Sequence, residues 1–273
     1  MWEAKKRRNG VLAHATRAVR TPAALRLPLA GLVFLLAASP VQASAQEPEM
    51  IKDLGPADGE WQLDYTGQFG AVNSSREGRE HSGQSFYGLT DAIAVGGETM
   101  LGYRDRPNTS KGRLFFDYDS AVVIVRFRDP ARDPVGVGLW LQAGLDDDGE
   151  VARLGARAIV EKRSALWWAQ ANVAYRRVNE GRAEGTYLAY AGQVSHRLVP
   201  QVWFGIEASG QAAKVSGFGA EPLRRGQFAG PRLASEFGLS RRVRARLGLS
   251  YLRRLDGDST LGNTVQLSGG LRF

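Results

Sequence analysis

From Glu60 to the end, hydrophobic and polar residues alternate one by one. Trp61, Leu63, Tyr65, Gly67 and Phe69 alternate with Gln62, Asp64, Thr66 and Gln68. Neighbouring side chains of a strand point to opposite faces, so this stretch predicts a strand with one oily and one wet side. The pattern recurs at Leu166–Val178, where Trp167, Ala169, Ala171, Val173 and Tyr175 oppose Trp168, Gln170, Asn172 and Arg176. It recurs again in the last ten residues, where Val265, Leu267, Gly269, Leu271 and Phe273 oppose Thr264, Gln266, Ser268, Gly270 and Arg272. Between such runs stand turn compositions: Thr90-Asp91-Ala92, Asp129 to Pro134, Asp146 to Glu150, Lys162 to Ala165, Val199-Pro200 and Ser240-Arg241. The punctuation divides the chain into about twelve strands.

The links sort by length. Those after odd-numbered strands include 73–80, 104–112, 212–226 and 256–263, whereas those after even-numbered strands are mostly a few residues. Short turns at one end and long loops at the other are the habit of outer-membrane barrels. The alternating faces agree, because an arginine turned to the bilayer midplane costs about 2–4 kcal/mol and the strand arginines share the polar phase. The predicted fold class is therefore all-β, a transmembrane antiparallel up-and-down β-barrel over residues 60–273, in the bacterial outer membrane and in contact with its lipid. Trp61, Phe69, Tyr103, Phe127, Trp167, Tyr175, Tyr251 and Phe273, near strand ends, would form the interfacial girdles. The terminal Phe273 reads as a barrel closure signal, with the barrel assembly machinery as the partner that meets the last strand. A periplasmic β-sandwich or lipocalin-like carrier is the alternative fold.

An outer-membrane barrel must first be exported, and the N-terminus supplies a leader. Residues 1–26 are basic, Leu25 to Ala38 is apolar, and Val41-Gln42-Ala43-Ser44-Ala45 offers small residues at cleavage spacing. Residues 1–45 are thus expected to be a signal peptide and 46–59 a periplasmic lead-in. Residues 1–45 hold seven bases and one acid, so their removal takes the net charge from +8 to +2. The remaining arginines are spread through alternating strands rather than clustered on one surface, which excludes nucleic acid as a partner. The chain has no cysteine, hence neither disulfide nor thiolate metal ligand.

On this phase Arg126, Arg153, Arg157, Arg176, Arg197, Arg232, Arg242, Arg244, Arg246 and Arg272 face the lumen, against Asp64, Glu98, Glu161, Glu207 and Glu236. Bases outnumber acids. One reading is an anion-favouring passage; the other is a lumen braced by arginine–carboxylate pairs. The lumen-lining candidates are Arg153, Arg157, Arg176, Glu207 and the ladder Arg242, Arg244 and Arg246, whose expected neighbours are Glu236, Arg272 and the C-terminal carboxylate. No catalytic constellation is visible and no enzyme is expected: outside the leader only His81, at a polar rim, and His196, facing outward, remain. Asp146-Asp147-Asp148-Gly149-Glu150 reads as a hairpin turn rather than a metal site, and no cofactor or metal is expected.

In strand rhythm, turns such as Asp146–Glu150, and the terminal Gly269-Gly270-Leu271-Arg272-Phe273, residues 60–273 resemble proteobacterial outer-membrane barrels grouped with the transporters of phenol-degradation (MetA-like) pathways. The resemblance implies passage of small organic compounds. The expected function is a narrow pore or transporter for small solutes, with a structural or adhesive barrel acting through its external loops as the alternative.

Overall fold

The computed structural model describes residues 49–70, 78–104, 113–145, 149–178, 185–216, 219–222, 226–255 and 263–273. The expected signal peptide and the Asp146–Asp148 turn lie outside these residues. The strands are β1 (Trp61–Gly70), β2 (Gly78–Gly88), β3 (Ile93–Arg104), β4 (Arg113–Arg128), β5 (Gly136–Leu145), β6 (Val151–Arg163), β7 (Trp167–Val178), β8 (Gly185–Val199), β9 (Val202–Ser216), β10 (Gly219–Pro222), β11 (Phe228–Gly238), β12 (Arg244–Arg254) and β13 (Thr264–Arg272). Each pairs antiparallel with its sequence neighbour, except that β9 pairs with both β8 and β11 while β10 folds back on β9 alone. Twelve strands therefore form the wall. The last strand returns to the first, with Gln62 opposite Arg272 and Gly70 opposite Thr264.

This single closed sheet rules out the β-sandwich. It also adds a strand to the sequence reading, because β9 and β10 form a hairpin within the expected 212–226 loop. Closure is made at the chain end: the Phe273 N–H donates to the Trp61 carbonyl at 3.0 Å, and the Trp61 N–H donates to the Phe273 carbonyl at 2.7 Å. A closed barrel leaves no ladder edge unpaired.

The alternation puts exposed apolar side chains on the outside all round, among them Leu63, Val123, Leu141, Val160, Val173, Ile206, Leu233, Leu249 and Leu267. So many exposed large apolar groups in one belt are a surface that lipid, not water, covers. Trp61, Trp167 and Tyr251 belong to this outer face, and His196 lies edge-on to Trp167 with ring centroids 4.8 Å apart. His81, expected at a polar rim, instead lies on the outer wall, its Nδ1 2.7 Å from the Tyr65 hydroxyl and its ring against Phe69.

Candidate functional site: a segment inside the lumen

Residues 49–56, expected in a periplasmic lead-in, run inside the barrel. Arg126 explains the entry point. Its Nη2 donates to the carbonyls of Leu54, Gly55 and Pro56 at 3.1, 3.1 and 2.8 Å, and its Nη1 to the Asp91 carbonyl at 3.0 Å. The Asp53 carboxylate accepts the Gly55 N–H at 2.9 Å, and Gly55 takes φ +75°, a conformation that glycine adopts without strain. A side chain there would also meet Ile124 Cδ1 at 2.9 Å. The tight bend at Asp53–Gly55 turns the chain from Glu60, at the short-turn end, up into the lumen.

Beyond the bend the segment is held on three sides. Leu54 packs into an apolar cluster with Phe86, Ala94, Val122, Ile124, Trp140 and Ile159, all inward-facing residues of β2 to β6. Asn172 of β7 treats Lys52 as a strand neighbour would: its Oδ1 accepts the Lys52 N–H at 2.6 Å and its Nδ2 donates to the Lys52 carbonyl at 3.1 Å. The Lys52 ammonium reaches Glu98 at 2.6 Å, and Glu98 also accepts Ser82, Gln84 and Gln142. Glu49 lies between two arginines, pairing with Arg157 through Nη2 and with Arg176 at 2.7 Å, while Arg157 Nη1 donates to the Met50 carbonyl at 2.6 Å. Met50 packs against Met100.

The arginine ladder is neutralised by Asp53 of the segment together with Glu60, just before β1, and Asp64 of β1. Arg246 meets Asp53 at 3.0 Å and Asp64 at 3.4 Å, Arg272 reaches Asp53 at 3.6 Å, and Arg244 pairs with Glu60 at 3.4 Å. Glu236 stands beside the ladder as expected, opposite Arg246 on the neighbouring strand, but its ion pair is with Arg163. Arg242 does not belong to the ladder: β12 starts at Arg244, and Arg242 is exposed in the turn before it. A cleft of about 260 Å³ remains at this mouth, with Asp53, Arg126, Glu161, Arg163 and Arg246 among its lining.

Across the barrel, Glu207 is fully buried and accepts Arg232 at 2.7 Å, Ser250 at 2.7 Å and Gln266 at 3.4 Å, without any contribution from the segment. Arg153 lies on the inward face of β6, and its charge acts on Glu49. Asn172, Gln193, Glu98, Glu207 and Ser250 are all buried, packed among the other wall side chains and the segment.

Electrostatics fix the segment's ionisation. For Glu49, burial works to raise the pKa, but Arg176 and Arg157 outweigh it and hold the carboxyl at about 2. For Asp53, burial is again opposed, here by Arg246, Arg272, the Gly55 N–H and Gln62, which keep it well below the usual carboxylate range. Both are anions at neutral pH, held by charge-assisted bonds.

The sequence reading had the inward phase of Arg157, Arg176 and Asn172 but not their ligand. Glu49, Lys52 and Asp53 went unrecognised as lumen residues because the segment carries no strand period.

A solved structure shares this fold. The COG4313 outer membrane channel from Pseudomonas putida F1 is 12% identical, with a TM-score of 0.50 covering 85% of this chain and all of that one. The fold is that of an outer-membrane β-barrel. The NanC porin is 10% identical with a TM-score of 0.49, covering 77% of this chain and 98% of that chain. No protein-family model and no curated protein matches the barrel's sequence.

Proposed function

We propose that the protein is an outer-membrane passage for small solutes, closed at rest by residues 49–56. The observation that carries the reading is the nature of the closure. The wall strands are joined by continuous ladders, whereas the segment is held by side-chain hydrogen bonds, ion pairs and the apolar contacts of Leu54 and Met50. Every one of those bonds can be exchanged for water or solute without opening the sheet. The exposed apolar belt places the barrel in lipid, and a chain of the same fold is an outer membrane channel. The paired arginines serve this closure; departure of the segment's acids leaves Arg157 and Arg176 without their carboxylate and adds to the positive charge of the lumen. Passage of small organic compounds suits a lumen with an apolar wall from β2 to β6 beside a charged one.

Planar-bilayer recording tests the reading. Glu49→Gln, Lys52→Gln and Asp53→Asn together remove the segment's charges and leave the wall intact, since Glu98 keeps Ser82, Gln84 and Gln142 and Arg246 keeps Asp64. The triple variant should show sustained open-channel current where the native protein is mostly closed. Equal currents from the two would overturn the gating role.

A further inference from the structure

Resting on the gated reading, we infer that the place vacated by the segment is a binding seat for an apolar monocarboxylate, an organic acid with an aromatic or aliphatic body. The segment is its own guide to the ligand. Its carboxylate, on Glu49, takes both arginines, one oxygen to Arg157 and the other to Arg176 at 2.7 Å. Two guanidinium groups aimed at the two oxygens of one carboxylate form a directional receptor, not a diffuse positive field. Its apolar side chains, Met50 and Leu54, lie against Met100 and against the cluster containing Trp140 and Ile159.

Sheet register brings the two halves together. Trp140 stands directly opposite Arg157 on the neighbouring strand, and Ile159 directly opposite Asn172. The polar and apolar parts are therefore a strand apart, about 5 Å, so a small acid can engage both at once. Asn172, freed from Lys52, offers one further donor and one acceptor at the same level.

Departure of Glu49 leaves Arg157 and Arg176 confined without their carboxylate, which an arriving acid restores. A neutral molecule of the same shape restores nothing, and an acid without an apolar body leaves the Trp140 and Ile159 wall wet. The seat thus selects for charge and apolar body together, and the segment competes for it.

Calorimetric titration of the detergent-solubilised barrel tests this separately from conduction. The probes are 3-phenylpropionate, its amide, and acetate, titrated into the Glu49→Gln, Lys52→Gln, Asp53→Asn protein and into the native chain. The variant should bind phenylpropionate at least tenfold more tightly than either the amide or acetate, and at least tenfold more tightly than the native chain does. Adding Arg157→Gln and Arg176→Gln should erase the preference for acid over amide; with Glu49 already neutral, these changes strand no opposing charge at the seat. Equal affinity for acid and amide, a preference that survives loss of both arginines, or equal binding by the native chain would overturn the seat. A channel that opens but shows no acid preference refutes only the seat, and one that binds acid but never conducts refutes only the gate.

Discussion

Asn172 is the sharpest point at which to perturb the closure. Its amide makes two hydrogen bonds to the Lys52 backbone, at 2.6 and 3.1 Å, and it does so from a position of 2% exposure. Asn172→Ala removes both, together with the weaker 3.3 Å bond that Asn172 accepts from Arg157, and leaves the wall ladder untouched, because β7 pairs through its backbone with β6 and β8. A hydrogen bond contributes a net of about 0.5–1.5 kcal/mol, so two amount to about 1–3 kcal/mol. At 1.4 kcal/mol per factor of ten, the closed-to-open ratio should fall by roughly 5- to 150-fold. Open probability in planar bilayers reads that ratio directly, and heat-modifiable migration checks that the barrel is assembled. An assembled Asn172→Ala barrel with native open probability would show that the segment is not held where the structure places it, and the reasoning from lumenal bonds to gating would fail.

Acid should open the channel, and only strong acid. Glu49 at about 2 lies below its ordinary 4.5, and Asp53 is lowered as well, so their contribution to closure is full above about pH 5 and lost as pH falls from about 4 toward 2; open probability that instead rose between pH 7 and 5 would contradict these ion pairs. Deleting Phe273 removes the two backbone bonds it exchanges with Trp61 at the seam, and the truncated protein should assemble poorly, visible as loss of heat-modifiable migration, whereas native migration would show that the seam does not depend on it.

The wall was legible in the sequence because lipid outside and polar groups inside enforce a strict two-residue period, and the turns between strands are short and chemically distinct. All twelve wall strands could be counted, and Val202 to Glu207 or Arg244 to Leu249 can be assigned to faces by eye. The hairpin of β9 and β10 could not, since Gly-rich 209–222 lacks that contrast. The lumen was half legible. Inward arginines outnumbered inward acids, which left both an anion-favouring passage and a braced lumen open; Glu49, Asp53 and Glu60, supplied by residues before the first strand, pair with part of that excess. No periodicity marks Glu49 to Pro56, because that segment makes side-chain bonds rather than a ladder, and its bend depends on one Asp–Gly pair. The arginine ladder shows the same limit: register fixed the direction of Arg244 and Arg246 and of their β1 neighbour Asp64, but Asp53 and Glu60 come from a part of the chain that strand patterning does not reach.

The most direct test of closure by the segment is to fasten it. The native chain has no cysteine, and Met50 of the segment packs on Met100 of the wall, so Met50→Cys with Met100→Cys gives one switchable crosslink. Placed in the Glu49→Gln, Lys52→Gln, Asp53→Asn background, the pair should abolish open-channel current when oxidised and restore it on reduction within the same membrane. Current that persists unchanged across oxidation, with the disulfide shown to have formed, would contradict the claim that this segment closes the barrel.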